Sequence, residues 1–194
     1  MDIAQLFLQR YDVLYAFWLG GVWTAVPDDL MRQRPHPQVN SIVWNLWHLT
    51  RVEDAGLNRF VVDRQQVLDV GDWMQRMNAP WRHHGSEMSF AEVDELNQRI
   101  DLSALREYSA AVQVRTREII NQIDQVDLDA VLTKERVRMV VIDEGLAHSQ
   151  AVGFVENYTG WSKGKCLMNL GLTHPYQHVG EIGVIISLLG VVFE

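Results

Sequence analysis

Apolar residues recur at intervals of three and four positions over several long stretches of this chain, and no other feature limits its fold as strongly. This spacing places the apolar side chains on one face of a helix, which must pack against a partner. The first stretch runs from Ile3 to about Val22. The second runs to about Phe60 and has Asn40 or Ser41 as its N-cap. The stripe of the first stretch comprises Ile3, Phe7, Leu14, Trp18 and Val22, with Tyr11 between them.

Two further helices are predicted in the second half of the chain. Residues 89–92 have the pattern of a capping box, and helical spacing continues from there to about Ile123, with a break or a new cap at 101–103. The last helix contains Pro175, which has no amide to bond the carbonyl four residues earlier. We therefore place its start near Leu172 to His174, and the alternative is a longer helix kinked at Pro175.

The region from 127 to 165 does not show a clear period. Residues Val137 to Val141 fit either a strand or a buried helix, and the glycines around them indicate that much of the region is loop. Four long helices with one decorated connection before the last predict an all-α fold, namely a four-helix bundle with a crossover. The length of 194 residues fits a single domain, 1–194.

Composition excludes several classes of protein. The chain carries 17 basic and 25 acidic side chains, a net charge of −8, which argues against a nucleic-acid or anionic membrane surface as its main partner. The most apolar stretch, from Ile182 to Phe193, is shorter than the roughly 20 residues that a membrane-spanning helix needs. The single cysteine, Cys166, allows no intrachain disulfide, and the N-terminus lacks the basic start of a signal peptide. We therefore expect a soluble, cytoplasmic protein.

Two histidines in the last helix have the spacing of a metal-binding pair. His174 and His178 stand four residues apart, so their side chains diverge by only about 40° around the helix and can reach one ion. Glu181 falls on the same face of the helix. The signature of a zinc metalloprotease is absent, since Pro175 stands where the general-base glutamate would be. The plainer alternative is a pair of satisfied or solvated helix histidines.

A third histidine, His48, lies in the second predicted helix. It falls about 40° from Trp44 and Val52, at the edge of the inward stripe, where a lone histidine is more often a hydrogen-bonded core residue. Facing the pair of the last helix across a bundle, it would instead complete a set of three neutral imidazoles, which are common ligands of divalent transition metals. Three ligands leave a coordination position open, as is typical of catalytic sites.

The sequence around these histidines resembles a known family, the DinB-like (DinB/YfiT) family of metalloenzymes. The similar segments are 44–49 (WNLWHL), 71–74, 88–93 and 173–182 (THPYQHVGEI). The resemblance covers most of the chain and is weakest from about Val126 to Gly164. It implies an up-down-down-up four-helix bundle with metal ligands at His48, His174 and His178. It also implies zinc or nickel as the bound ion, with iron in some relatives.

The resemblance implies a reaction class as well. Family members with a known reaction include thiol-dependent S-transferases and an isomerase that use bacillithiol, mycothiol or glutathione. Our hypothesis is therefore a metal-dependent transferase in which a low-molecular-weight thiol attacks an electrophilic small molecule. Glu181 is the candidate catalytic residue, since it could orient a ligand imidazole or handle a proton. The alternatives are a metal-dependent hydrolase, a non-catalytic, stress-related metal-binding bundle protein, and a helical interaction module that binds no metal. The aromatic content is compatible with a homodimer.

Other polar residues are weaker candidates. His83 and His84 lie in a predicted loop and could approach the site, but adjacent loop histidines are more often solvated. Asn45 and Arg51 flank the histidine of the second helix, where Asn45 could orient a ligand and Arg51 is expected to be a solvated charge. Cys166 is expected to behave as a small hydrophobic residue.

Overall fold

Helix is the only regular secondary structure in the computed structural model of this chain, which describes residues 2–148 and 151–192. Within those ranges, β pairing is limited to one isolated bridge between Val131 and Ser162. The helices are α1 (3–25), α2 (42–61), α3 (Phe90–Arg99), α4 (Leu102–Asn121), α5 (134–143), α6 (Phe154–Tyr158) and α7 (163–188). Shorter helical turns lie at Asp28–Met31, Val67–Asp69, Trp73–Arg76 and Ile123–Gln125. The predicted all-α fold is confirmed.

The four long helices α1, α2, α4 and α7 form the bundle, and the contacts between them fix their directions. The contacting pairs are Phe7–Gly171 and Arg10–Tyr176 between α1 and α7, Asn45–His178 and Gly56–Leu170 between α2 and α7, Asp12–Arg117 and Trp23–Arg106 between α1 and α4, and Arg51–Tyr108 and Asn58–Arg115 between α2 and α4. Residue numbers rise together between α1 and α7 and between α2 and α4, and they run in opposite senses in the other two pairs. The bundle is therefore up-down-down-up, as the family resemblance implied.

Side-chain caps mark the predicted helix starts. The Ser41 hydroxyl accepts from the amide of Trp44 at 2.9 Å, so Ser41 is the N-cap of α2. A full capping box, with Ser89 and Glu92, begins α3. The carboxylate of Asp101 then accepts from an amide in the first turn of α4 at 2.8 Å, so the chain breaks and is capped again between α3 and α4.

Three of the bundle helices contain a wide, π-type turn, at Val13–Leu19 in α1, Gly56–Val61 in α2 and Asn169–Thr173 in α7. Such a turn takes one more residue than an α-helical turn and rotates the helix face that follows. In α1 the side chain that enters the core is therefore Leu19, which is 2% exposed, while Trp18 is 47% exposed. The predicted stripe is wrong at Trp18 for this reason, and wrong at Ile3, whose side chain is partly exposed at the start of the helix.

The helix that contains Pro175 is the longer of the two alternatives. It begins at Lys163, after the N-cap Ser162, and the proline lies two residues after the end of the wide turn Asn169–Thr173. Pro175 occupies the first turn of the regular stretch His174–Leu188. The missing amide is tolerated there because the wide turn has already departed from the α-helical hydrogen-bond pattern.

The region from 127 to 165 contains helix where the period was ambiguous. Residues 134–143 form α5, with Val137, Val140 and Val141 buried, so the buried-helix alternative is the one that occurs. The N-cap is Thr133, whose hydroxyl accepts from the amide of Arg136 at 3.2 Å.

In the described parts of the chain, every helix is too short or too polar to cross a membrane.

The central element of the bundle is α2, because every residue from 41 to 58 is buried. This stretch includes polar and charged side chains, which must find hydrogen-bond partners inside the bundle. They are Ser41, Asn45, His48, Thr50, Arg51, Glu53, Asp54 and Asn58. The candidate site is built around this polar helix.

Candidate metal centre

Three histidine rings meet between α2 and α7. The Nε2 atom of His174 lies 3.1 Å from the Nε2 atom of His48 and 3.1 Å from the Nε2 atom of His178. All three ligand atoms lie within 4.8 Å of one another, so the cluster could hold a metal ion. His48 and His178 are 4% and 8% exposed, and His174 is partly buried. The structure thus brings together the three histidines that the sequence singled out.

Hydrogen bonds on the far side of two of the rings settle where their protons lie. The Nδ1 atom of His48 donates to the backbone carbonyl of His84. The Nδ1 atom of His178 lies 2.7 Å from Oδ1 of Asn45 and 2.9 Å from a carboxylate oxygen of Glu181, and both oxygens are acceptors. A neutral imidazole that donates through Nδ1 keeps a lone pair on Nε2. The lone pairs of His48 and His178 therefore both face the third ring, and a shared cation would offset their repulsion.

Burial keeps two of the three rings, those of His48 and His174, neutral. Burial lowers the pKa of His48 well below its usual value, and the neighbouring histidines His174 and His178 lower it further. Burial likewise lowers the pKa of His174 to about 3, again with a contribution from His178. Neutral imidazole is the form that binds a metal, so no proton has to be displaced from the ligand nitrogen of a neutral ring at pH 7.

Trp44 supports the centre from one side. Its indole stacks on the ring of His48 with a centroid distance of 4.5 Å and an interplanar angle of 10°. It also contacts the ring of His178 edge-on, at 6.1 Å. The indole therefore restricts the rotation of one ring from each ligand helix.

A cavity of about 320 Å³ adjoins the three rings. His48 and His174 form part of its wall. Another part of the wall is aromatic and comes from α6 and the residues after it, and amide side chains complete the lining. These residues are Phe154, Tyr158, Trp161, Asn157, Asn169 and Gln177. A small molecule in this cavity would lie against the metal-facing histidines.

Glu181, the candidate catalytic residue, lies at the edge of the centre. Its carboxylate contacts the Nδ1 atom of His178, on the side of the ring that faces away from the other two histidines. Its side chain is 55% exposed and lines a separate surface cavity with Asn45. This position suits a residue that orients His178; a proton-handling role stays a prediction.

Two of the weaker candidates are buried, contrary to expectation. Arg51 is fully buried rather than solvated. It pairs with Asp54 at 3.2 Å and donates to the Tyr108 hydroxyl at 2.8 Å and to the backbone carbonyl of Arg82 at 3.1 Å. His84 is 2% exposed, so it is not solvated either. A charged side chain in the interior needs partners from other elements, and a sequence read one helix at a time does not reveal them.

Of the remaining residues, Asn45 accepts a hydrogen bond from the ring of His178 and so orients it, which is the role predicted for it. Burial raises the pKa of the Cys166 thiol to about 12, so Cys166 behaves as a small hydrophobic residue. The backbone carbonyl of His84, which orients His48, was not foreseen. Every residue has a carbonyl, so no sequence signal could have identified this one.

Comparison with known proteins agrees with this architecture. The chain is similar in fold to a conserved protein from Enterococcus faecalis of known crystal structure, with a TM-score of 0.70 over 97% of this chain and 98% of that chain, at 15% sequence identity. No curated protein matches the chain. The family model of the DinB superfamily matches residues 19–182, which include all three histidines of the centre. The chain therefore belongs to the DinB superfamily.

Proposed function

We propose that this protein is a divalent-metal-dependent enzyme that joins a low-molecular-weight thiol to an electrophilic small molecule. The observation that carries the proposal is the convergence of three imidazole Nε2 atoms beside a cavity of about 320 Å³. A donor set of neutral imidazoles suits zinc, nickel or iron(II). Three ligands leave room for a further molecule to bind.

The residues of the chain would hold the ion and limit its surroundings. His48, His174 and His178 would bind it through Nε2, with two of the rings already oriented by Asn45 and by the carbonyl of His84. When bound, a divalent ion supplies a Lewis acid that lowers the pKa of a thiol and favours the nucleophilic thiolate. Glu181 is proposed to keep the ring of His178 in place through its Nδ1 hydrogen bond.

The cavity is proposed to bind the electrophile and the part of the thiol that extends from the metal. Its aromatic wall would exclude water and contact the apolar part of the molecule, and the side chains of Asn157, Asn169 and Gln177 would bind polar groups. In the reaction the thiol sulfur forms a bond to the electrophilic carbon. The electron pair of the bond that breaks goes to the leaving group of an alkyl halide, to the ring oxygen of an epoxide, or to the neighbouring carbon of a maleate ester. The thiol proton passes to solvent or to the atom that receives this electron pair, so the step needs no oxidant or reductant.

Elemental analysis of the purified full-length protein tests the metal site. We expect about one divalent ion per chain, lost in His48→Gln and His178→Gln and retained in His36→Gln, whose side chain lies on the surface. Circular dichroism of each variant verifies that the fold is kept. A wild-type protein that takes up no zinc, nickel or iron under any loading condition contradicts the proposal and leaves a helical interaction module.

Turnover separates an enzyme from a metal-binding protein. Metal-loaded protein is incubated with glutathione, bacillithiol or mycothiol and a panel of alkyl halides, epoxides and maleate esters, and consumption of the thiol is followed. We expect consumption that stops on chelation and is absent in His178→Gln. Full metal loading without consumption of any thiol would contradict the transferase and favour the non-catalytic alternative, whereas ester cleavage without thiol would favour a hydrolase.

A further inference from the structure

The ring of His84 is a buried polar group that the proposed metal centre does not use. It comes from the loop between α2 and α3, and its side chain lines the same cavity as His48 and His174. Its ring centroid lies 5.5 Å from that of His48 at an interplanar angle of 76°. Phe154, which lines the same cavity, contacts the ring edge-on at 5.2 Å. His84 therefore stands beside the histidine cluster without belonging to it.

A hydrogen bond fixes the tautomer of His84. The backbone amide of Ser86 donates to its Nδ1 atom at 3.3 Å, so Nδ1 carries the lone pair and the proton lies on Nε2. This Nε2 atom is buried and has no hydrogen-bond partner among the residues that the structure describes. A buried N–H group without an acceptor is unfavourable, and native proteins rarely keep one unless another molecule supplies the acceptor.

Hydrogen bonds hold the backbone of the loop that carries this ring. The amide of His84 donates to the carbonyl of Leu146 at 2.8 Å, and its own carbonyl accepts from His48. Two residues earlier, the carbonyl of Arg82 accepts from the buried guanidinium of Arg51 at 3.1 Å. The side chain is thus carried by a backbone that is fastened at three points, as a group that must meet a ligand in one orientation would require.

We infer that the Nε2–H group of His84, which a small turn of the ring would bring to the cavity that this residue lines, donates a hydrogen bond to an oxygen acceptor, such as a carbonyl, on the molecule that occupies the cavity. The inference rests on the proposed function, because it assigns the cavity to the reacting molecule. Its consequence is specificity: a site that hydrogen-bonds an oxygen discriminates strongly against an analogue that lacks it. His84 is a neutral donor in this role and not a further metal ligand.

Two thiol probes on the cobalt(II)-loaded full-length protein test the inference. Methyl thioglycolate carries a carbonyl and 1-propanethiol does not, and the thiolate-to-cobalt absorption band reports the binding of either. In His84→Phe we expect about tenfold weaker binding of methyl thioglycolate, the order of magnitude of one buried hydrogen bond, and less than a twofold change for 1-propanethiol. His84→Gln retains an N–H donor and is expected to bind both probes as the wild type does.

Other outcomes overturn the inference. Equal weakening of both probes in His84→Phe indicates a structural role, and no weakening of either means that the ring does not contact the bound molecule. Loss of cobalt in both His84 variants, with retention in His36→Gln, would make His84 part of the metal support instead.

A measurement on the metal-free protein separates this inference from the proposed function. Imidazole ¹⁵N chemical shifts are expected to show His84 with its proton on Nε2, and a proton on Nδ1 contradicts the inference by itself. Failure of the wild type to bind any metal would refute the proposed function, and the tautomer would still decide whether His84 offers a donor to the cavity.

Discussion

Glu53 is a carboxylic acid at the centre of the bundle, and its environment predicts an unusual dependence of stability on pH. Its side chain is fully buried in α2. One carboxylate oxygen accepts from the Tyr11 hydroxyl at 2.5 Å and from the Thr116 hydroxyl at 2.6 Å, and the other accepts from Tyr15. Burial raises the pKa of Glu53 from 4.5 to about 7, although the three hydrogen bonds oppose the shift.

The sign and size of the effect follow from this pKa. In the unfolded chain Glu53 loses its proton near pH 4.5, whereas in the folded protein it keeps the proton until about pH 7. Between these values the folded state binds more protons than the unfolded state, so the free energy of unfolding falls as the pH rises. The loss is about 1.4 kcal/mol per pH unit, or about 3 kcal/mol over the whole window.

The substitution Glu53→Gln removes the titration while keeping the shape of the protonated acid. We expect the free energy of unfolding of the variant, relative to that of the wild type, to rise by about 3 kcal/mol from pH 4.5 to pH 7 and to level off above. Urea denaturation at several pH values, with chelator present, measures it. Titrations of all other groups cancel in the difference, and Glu118→Gln on the surface reports the effect of losing one negative charge.

A relative stability of Glu53→Gln that stays constant over this window would refute the reasoning, because Glu53 would then titrate alike in both states. A relative stability that falls with pH would mean that the three hydroxyl donors outweigh burial. The first result would show that the three hydroxyl donors just offset burial, and the second that they favour the charged carboxylate over the neutral acid.

Two further predictions concern packing and buried charge. Gly56→Ala would place its Cβ atom 2.6 Å from Cδ1 of Leu170, so we expect the free energy of unfolding, measured by urea denaturation, to fall by about 1–3 kcal/mol. The control Gly21→Ala meets no atom within 4 Å, and we expect it to stabilise α1 by up to about 1 kcal/mol. Asp54→Ala would leave the buried charge of Arg51 without its carboxylate, and we expect a loss of about 3–5 kcal/mol, measured in the same way. Equal stabilities of Gly56→Ala and Gly21→Ala would contradict the first account. A fall of less than about 1 kcal/mol in the free energy of unfolding of Asp54→Ala would contradict the second.

Much of the architecture could be predicted because its signals are local. The caps Ser41, Ser89 and Asp101 and the apolar period of the long helices are properties of a few neighbouring residues. The wide turns could not be predicted in this way, since they depend on how the helices pack against each other. The clearest result of that dependence is that Leu19, and not Trp18, packs into the core.

The candidate site also has a part that could be predicted from the sequence and a part that could not. The spacing of His174 and His178 and the position of His48 on its helix were compatible with a meeting of the three rings, and the family resemblance implied it. Their supports could not be foreseen, because the partners come from distant segments or from the backbone. Arg51 was expected in solvent for this reason, and the carbonyl of His84 has no signature in the sequence.

The buried helix α2 holds the groups that position the histidine cluster, whereas the aromatic lining of the cavity comes from another part of the chain. It carries His48, orients His178 through Asn45, and fastens the loop before α3 through Arg51. The aromatic wall of the cavity, in contrast, belongs to α6 and the residues that follow it, outside the four bundle helices, with Tyr158 buried against Phe60 of α2. Substitution of Phe154 or Trp161, which pack against the core from outside the four bundle helices, would therefore reshape the cavity while leaving in place the hydrogen bonds that orient His48 and His178.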